Sequence, residues 1–309
     1  MGSESRMKLP VIDFSNLKQE TATWESVKTQ VSEALAEYGC FEAIFSNPKY
    51  SLVNVLQQLF DLPLQTKLLN KSNTTYHGYI GQHAVVPLYE SLGISDALVP
   101  GNIEAFVELM WSHNGNPTFC ESVRSISEEL LELNKIVRTM VLENNGIKKY
   151  LDEHIDSTNY VVRFQKYDGP KTNETELGLV PHIDMNTLTI LFQDDVTGLE
   201  MQKKDGDDWI ETSPNSFIVM AGESLRAWTN GRVHAPFHRV MMTGDKARYS
   251  IGLFAVPKSG YIVTAPKEMV DEEHPLLYKP YDYVEFLNYY YGEASKTSPN
   301  ALKDYCGVV

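Results

Sequence analysis

The chain has 309 residues, 42% of them hydrophobic, and a formal net charge of −14. A chain of about 300 residues can bury roughly three quarters of its unfolded surface, and this length suits one α/β or all-β unit with additions. The acidic balance argues against nucleic acid as a partner, which would require clustered Lys and Arg, and no apolar run approaches the length of a membrane span.

Met1-Gly2-Ser3-Glu4-Ser5-Arg6 lacks the hydrophobic segment of a signal peptide. Cys40, Cys120 and Cys306 are too few and too scattered for a disulfide framework or a zinc motif, so a cytoplasmic protein is expected. Residues 9–14 read as a short strand. Trp24, Val27, Val31, Ala34 and Leu35 recur at helical spacing and predict a helix over Thr23–Glu37, with Thr23 as its N-cap. Residues 39–45 read as a strand. Ser51–Leu59 reads as a helix that Pro63 prevents from continuing. Residues 70–104 show no sustained period and read as loop. Val123, Ile126, Leu130, Leu133, Val137, Met140 and Val141 form the apolar stripe of one long helix over Phe119–Asn145.

After Asn145 the texture changes. Gly, Asp, Asn and Pro punctuate short runs of β-formers at 158–167, 186–192, 198–202, 216–220, 231–242 and 247–256, the pattern of a β-sandwich or barrel. Asp205-Gly206-Asp207-Asp208 lacks the spacing of a calcium loop and reads as a hairpin tip. Tyr283, Phe286, Leu287 and Tyr290 return to helical spacing near the end. The expected division is 1–145, mostly helical and packed on the barrel, and 146–309, the barrel with its C-terminal helix. No linker separates the two.

The chemistry concentrates between Val180 and Ser250. His182, Asp184 and His238 are two imidazoles and a carboxylate, the ligand set with which non-haem Fe(II) oxygenases occupy one face of the metal. On a strand, His182 and Asp184 would leave the same face. His238 would return from a later strand, and His234, four residues earlier on that strand, is expected as a wall residue. Arg248 and Ser250 also share a strand face, where a guanidinium fork and a hydroxyl can hold one carboxylate.

With these residues in view, the chain resembles the plant soluble Fe(II)/2-oxoglutarate-dependent dioxygenases of isopenicillin N synthase-like fold. The resemblance runs over nearly the full length. It rests on Leu9-Pro10-Val11-Ile12-Asp13, Glu37-Tyr38-Gly39-Cys40-Phe41-Glu42, Gln193-Asp194-Asp195-Val196-Thr197-Gly198-Leu199-Glu200, Asn230-Gly231-Arg232 and His238-Arg239-Val240. Phe164-Gln165-Lys166-Tyr167-Asp168-Gly169-Pro170 departs from the N-Y-Y-P-P-C-P of most members: Tyr167 stands at a tyrosine that helps hold 2-oxoglutarate, and Gln165 stands at an Asn. His234-Ala235-Pro236 and the Asp271–Tyr278 segment are similar to a branch containing glucosinolate side-chain oxygenases, auxin-oxidising dioxygenases and lignan ring-closing enzymes.

The resemblance implies a mainly β fold with flanking helices: a double-stranded β-helix (jelly-roll, cupin-like) barrel with an N-terminal α/β region and a C-terminal helix. It implies Fe(II) on His182, Asp184 and His238, and 2-oxoglutarate held by Arg248, Ser250 and Tyr167. Dioxygen would then be used to oxidise a C–H bond of a small plant metabolite or hormone, with release of succinate and CO2. Phe254, Tyr79 and Phe106 are the candidate substrate contacts. The resemblance also argues against halogenation, since halogenating relatives carry a small residue where Asp184 stands. Hydroxylation, desaturation, demethylation and ring closure all fit the same iron site. A 2-oxoglutarate-independent oxidase, whose Arg248-x-Ser250 pair binds the substrate's own carboxylate, and a non-catalytic binding barrel are the alternatives. The expected partner is a small molecule, the expected state a monomer.

Overall fold

Thr21, not Thr23, starts the first helix: its backbone is extended and its side chain accepts from the Trp24 amide at 3.2 Å. The computed structural model describes residues 7–45, 52–72, 74, 77–81, 83–172, 174–292 and 300–308. Met1–Arg6 and Ser51 lie outside them. The N-terminal elements are β1 (Val11–Asp13), α1 (Ala22–Glu37), β2 (Cys40–Ile44), α2 (Leu52–Phe60), α3 (Leu64–Lys67), β3 (Tyr89–Ser95), α4 (Asn102–Trp111), α5 (Pro117–Asn144) and α6 (Leu151–Asp156). The barrel strands are β4 (Thr158–Tyr167), β5 (Glu176–His182), β6 (Leu188–Gln193), β7 (Leu199–Gln202), β8 (Trp209–Glu211) and β9 (Ser216–Ala221). Then come α7 (Glu223–Trp228), β10 (His238–Met242), β11 (Arg248–Pro257), β12 (Ile262–Val263), β13 (Tyr281–Asp282), α8 (Tyr283–Tyr290) and α9 (Ala301–Cys306).

The larger sheet runs β1-β2-β9-β6-β11-β4-β3 and the smaller β5-β10-β7-β8. Leu191, Ile218 and Met220 of the larger sheet share one buried cluster with Leu199, Met201 and Val240 of the smaller, so the sheets pack face to face as the jelly-roll expectation requires. α5 begins two residues earlier than its stripe suggests, because Asn116 caps it through the Phe119 amide and Pro117 takes the first helical position. Its apolar stripe packs on β6 and β11. β1, β2 and β3 belong to the larger sheet, and the main core takes side chains from both sides of position 145. The division at 145/146 therefore falls at the end of a helix and not between two cores.

Three expectations about elements need correction. Residues 70–104 are not all loop: β3 pairs along β4 from Tyr89↔Tyr167 to Ser95↔Val161. β3 is an edge strand that faces the barrel interior with Ser91 and Gly93 and the main core with Leu92 and Ile94; with only those two large aliphatic residues its alternation is too short to stand out from the polar stretch around it. The run 231–242 is a strand only from His238. Asn230 and Gly231 have positive φ and turn the chain, and 231–237 is irregular. His234 is therefore not on a strand with His238; its amide bonds the Leu35 carbonyl at the end of α1. Finally, β5 ends at His182, and Asp184 lies in the loop beyond it.

Candidate metal and 2-oxoglutarate site

The smaller sheet brings the two imidazoles together. β5 and β10 pair antiparallel with His238 directly opposite His182, and the ring centroids are 4.2 Å apart. Pro181 is tolerated beside His182 because β5 is an edge strand. Asp184 reaches the same point from its loop: its Oδ1 is 3.7 Å from His182 Nε2 and 3.9 Å from His238 Nε2. The three ligand atoms lie within 4.8 Å of one another.

The loop is fixed from behind. The Glu223 amide donates to the Asp184 carbonyl at 2.8 Å, and Ser224 Oγ donates to the Met185 carbonyl at 2.7 Å. This close approach requires Gly222, where a Cβ would lie 2.0 Å from the Asn186 carbonyl oxygen. Thr189 Oγ1 donates to Asp184 Oδ2 at 2.5 Å, orienting the other oxygen toward the imidazoles.

The donor set suits a divalent ion. His182 Nδ1 bonds the Val180 carbonyl at 2.8 Å and His238 Nδ1 bonds the Pro236 carbonyl at 3.2 Å. A carbonyl only accepts, so each Nδ1 carries the proton and each Nε2 presents its lone pair toward Asp184. Burial, followed by the neighbouring His238, lowers the His182 pKa to about 4, which keeps the ring neutral and able to ligate. One carboxylate and two neutral nitrogens on one side of an ion are a facial triad.

Arg248, Ser250 and Tyr167 also converge. β11 and β4 pair Arg248↔Tyr167 and Ser250↔Gln165. All three expected side chains are at most 1% exposed, and the guanidinium carbon lies 5.2 Å from the Tyr167 ring centroid. Arg248 Nη2 donates to Gln193 Oε1 at 2.6 Å and Nη1 donates to Ser250 Oγ at 3.3 Å, but its buried Nε–H has no acceptor. No carboxylate pairs with Arg248 among the described residues. Burial pulls its pKa below the ordinary value, as expected for a cation without a counter-charge. Such a group is costly unless an anion completes it, which fits a 2-oxoglutarate carboxylate.

Gln193 was missed as a site residue. Its Nε2 donates to Thr212 Oγ1 and the Ser213 carbonyl, both at 2.7 Å, leaving Oε1 turned to Arg248. Gln165 reaches the same place from β4, with Ser250 Oγ donating to its Oε1 at 3.1 Å.

A cavity of about 260 Å³ opens beside His182 and Asp184. Phe254 lines it together with Val161, Leu287 and Tyr290. Tyr79 and Phe106 are not among the described residues that line it. Tyr79 donates to Glu90 at 2.6 Å, and Phe106 is buried against Phe119 and Phe164 with centroids 5.9 and 5.7 Å away. Tyr89, Arg163 and His77 line the cavity and were not singled out for it. No helix among the described residues is long and apolar enough to cross a membrane.

Comparison with known proteins agrees with this geometry. Residues 157–257 match the 2OG-Fe(II) oxygenase superfamily, and residues 9–94 match the N-terminal region of non-haem dioxygenases in morphine synthesis. A probable 2-oxoglutarate-dependent dioxygenase of Arabidopsis thaliana, AOP1.2, is 45% identical over 308 residues, covering 96% of this chain and 94% of the relative. The rice dioxygenase for auxin oxidation superposes with a TM-score of 0.79 at 25% identity, covering 97% of this chain and 100% of the other. Dioxygenase for auxin oxidation 1 from Arabidopsis thaliana, solved with 2-oxoglutarate, gives 0.77 at 25% identity over 86% of this chain and 99% of the other. The chain belongs to the 2OG-Fe(II) oxygenase superfamily and is a non-haem dioxygenase that uses Fe(II), 2-oxoglutarate and dioxygen.

Proposed function

We propose that this dioxygenase oxidises a C–H bond of a small plant metabolite or hormone, releasing succinate and CO2, with His182, Asp184 and His238 holding Fe(II). Arg248, Ser250 and Tyr167, joined by Gln193, hold the far carboxylate of 2-oxoglutarate. The observation that carries this reading is the buried Arg248, with an unpartnered Nε–H, on the inner face of the barrel that also presents the triad.

Bound Fe(II) supplies the redox chemistry that couples dioxygen to decarboxylation of the 2-oxo acid. The chain's own residues bind and orient. The Val180 and Pro236 carbonyls hold the two imidazoles in the ligating tautomer, and Thr189 turns the Asp184 carboxylate. Arg248 fixes the co-substrate through charge-assisted bonds, each contributing about 1.5–3 kcal/mol. Phe254 and its apolar neighbours exclude water from the substrate side. We read the chain as a cytoplasmic monomer with three free thiols, Cys40, Cys120 and Cys306, and residues 1–145 as a scaffold for the barrel. The co-substrate-independent oxidase is not favoured by the named relatives, and the intact triad argues against a non-catalytic barrel.

The test is an anaerobic titration with Fe(II) and then 2-oxoglutarate, following the visible charge-transfer band of the chelate. The band should need both components. Asp184→Ala should lower Fe(II) affinity more than about 100-fold, beyond the 10–100-fold typical of outer-shell partners. A wild-type protein that folds and binds iron but never gives the band would overturn the reading.

A further inference from the structure

The cavity beside the triad has one polar end that the iron and 2-oxoglutarate sites do not use. Arg163 of β4 is 5% exposed and lines that end. Its guanidinium is held by Ser91 Oγ of β3 and by the Gly78 carbonyl at 3.3 Å. The register partners of Arg163 on both sides are glycines, Gly93 on β3 and Gly252 on β11. A Cβ at 93 would lie 3.3 Å from Arg163 Nη1 and 2.5 Å from the His77 carbonyl oxygen. A Cβ at 252 would lie 3.0 Å from the Phe254 ring. The floor on either side of Arg163 is thus kept free of side chains.

His77 completes this end. Its Nδ1 is 2.9 Å from Ser95 Oγ, and its backbone is fastened through its neighbours: the Tyr79 amide donates to the Asn70 carbonyl at 2.7 Å, and Asn70 makes two 3.0 Å bonds to Gly93. Burial, then the adjacent Arg163, lowers the His77 pKa, so Arg163 supplies the positive charge there near neutral pH. Phe254, Val161, Val256 and Leu287 make the rest of the cavity apolar.

We propose that Arg163 reads the anionic head group of the organic substrate. The substrate is then an apolar acid, with carboxylate or sulfonate oxygens at the Arg163–His77 end and a ring or hydrocarbon body along Phe254 and Leu287. This rests on the cavity beside the triad being the substrate site. A planar guanidinium at a desolvated wall favours a two-oxygen anion over a neutral ester of the same shape.

The test uses the full chain as its anaerobic Fe(II)–2-oxoglutarate complex. The probes are phenylacetate, cinnamate and octanoate, each beside its methyl ester, and phenylmethanesulfonate. The expected result is that acids shift the charge-transfer band and stimulate succinate release in air, while esters do so at least 10-fold less effectively. Phenylacetate against phenylmethanesulfonate distinguishes the two head groups. Arg163→Gln should weaken the acids at least 10-fold without changing the 2-oxoglutarate titration, and Arg163→Lys should recover part of the loss. The proposal is overturned if no acid perturbs the band, if esters match acids, or if Arg163→Gln binds acids like the wild type. The acid–ester comparison needs no variant, so it decides the matter even where Arg163→Gln fails to fold. Absence of the band before any acid is added would instead sink the 2-oxoglutarate reading.

Discussion

Arg248 and Arg163 lie on neighbouring strands of the larger sheet, separated by two inward-facing register steps: Tyr167↔Arg248, Gln165↔Ser250, Arg163↔Gly252. Both are buried, at 1% and 5% exposure. Their surroundings differ. Arg248 is enclosed by Gln193, Ser250 and the Tyr167 ring, with Gln165 and Tyr89 at the cavity wall in front of it. Arg163 is itself part of that wall. Burial alone therefore does not say what a cation serves; what it opens onto does. The enclosed arginine suits a ligand that is the same in every turnover. The arginine on the wall suits a ligand that must enter, react and leave beside it.

The strongest way to break this comparison is Arg248→Met. The change removes two or more charge-assisted bonds to a carboxylate, together worth about 3–6 kcal/mol, so 2-oxoglutarate should bind about 10²- to 10⁴-fold more weakly. Fe(II) affinity, measured separately by metal titration, should be unchanged. If Arg248→Met leaves the 2-oxoglutarate titration intact while Arg163→Gln weakens it, the two arginines have been assigned the wrong way round.

A change at the metal should affect both anion sites' readouts together. Thr189→Val removes the 2.5 Å bond to Asp184 Oδ2 and nearly preserves shape. Iron should bind about 10–100-fold more weakly, as expected for loss of an outer-shell partner. At saturating iron, the 2-oxoglutarate and acid titrations should return to wild-type values. A 2-oxoglutarate defect that persists at saturating iron would mean that Thr189 also shapes the co-substrate site.

How much of this was legible in the sequence depended on whether a residue's role follows from its type and spacing. His182, Asp184, His238, Arg248 and Ser250 could be named because few other chemistries use those groups together. Thr189 reads only as a strand residue, and Gln193 only as the start of the Gln193–Glu200 segment shared with the resembled family. Their roles emerge from register, Ser250↔Gln193 and Phe254↔Thr189, which depends on how β6 and β11 align. β3 hides for a different reason: Ser91 contacts Arg163 and Gly93 makes room for it and for His77, so only Leu92 and Ile94 carry the apolar half of its alternation, too few to stand out from the polar stretch around them. Phe106 shows the reverse error. An aromatic after a loop-like stretch suggested a pocket, but it sits on α4 with its ring in the core, and nothing local distinguishes the two uses. Thr23 is the cap expected from sequence and Thr21 the cap observed, two residues apart at a boundary that sequence fixes only to within a few residues.

Gln165 gives the finest test, because it occupies the register step between the two arginines. Its carboxamide oxygen accepts from Ser250 Oγ, the hydroxyl assigned to the co-substrate carboxylate. For Ser250 to donate to 2-oxoglutarate, that bond must break or be shared. Asn is shorter by one methylene, so Gln165→Asn should draw the oxygen back and free the Ser250 hydroxyl. The gain is that of one hydrogen bond no longer exchanged, about 1 kcal/mol, or roughly fivefold tighter 2-oxoglutarate. Acid binding at Arg163 should move less, since the Gly93 and Gly252 floor is untouched. A matched pair of 2-oxoglutarate and phenylacetate titrations on Gln165→Asn measures both. Weaker 2-oxoglutarate binding would show that Gln165 holds the co-substrate itself. Equal changes at both sites would show that Arg248 and Arg163 lie in one continuous pocket, and the separation drawn between them would fail.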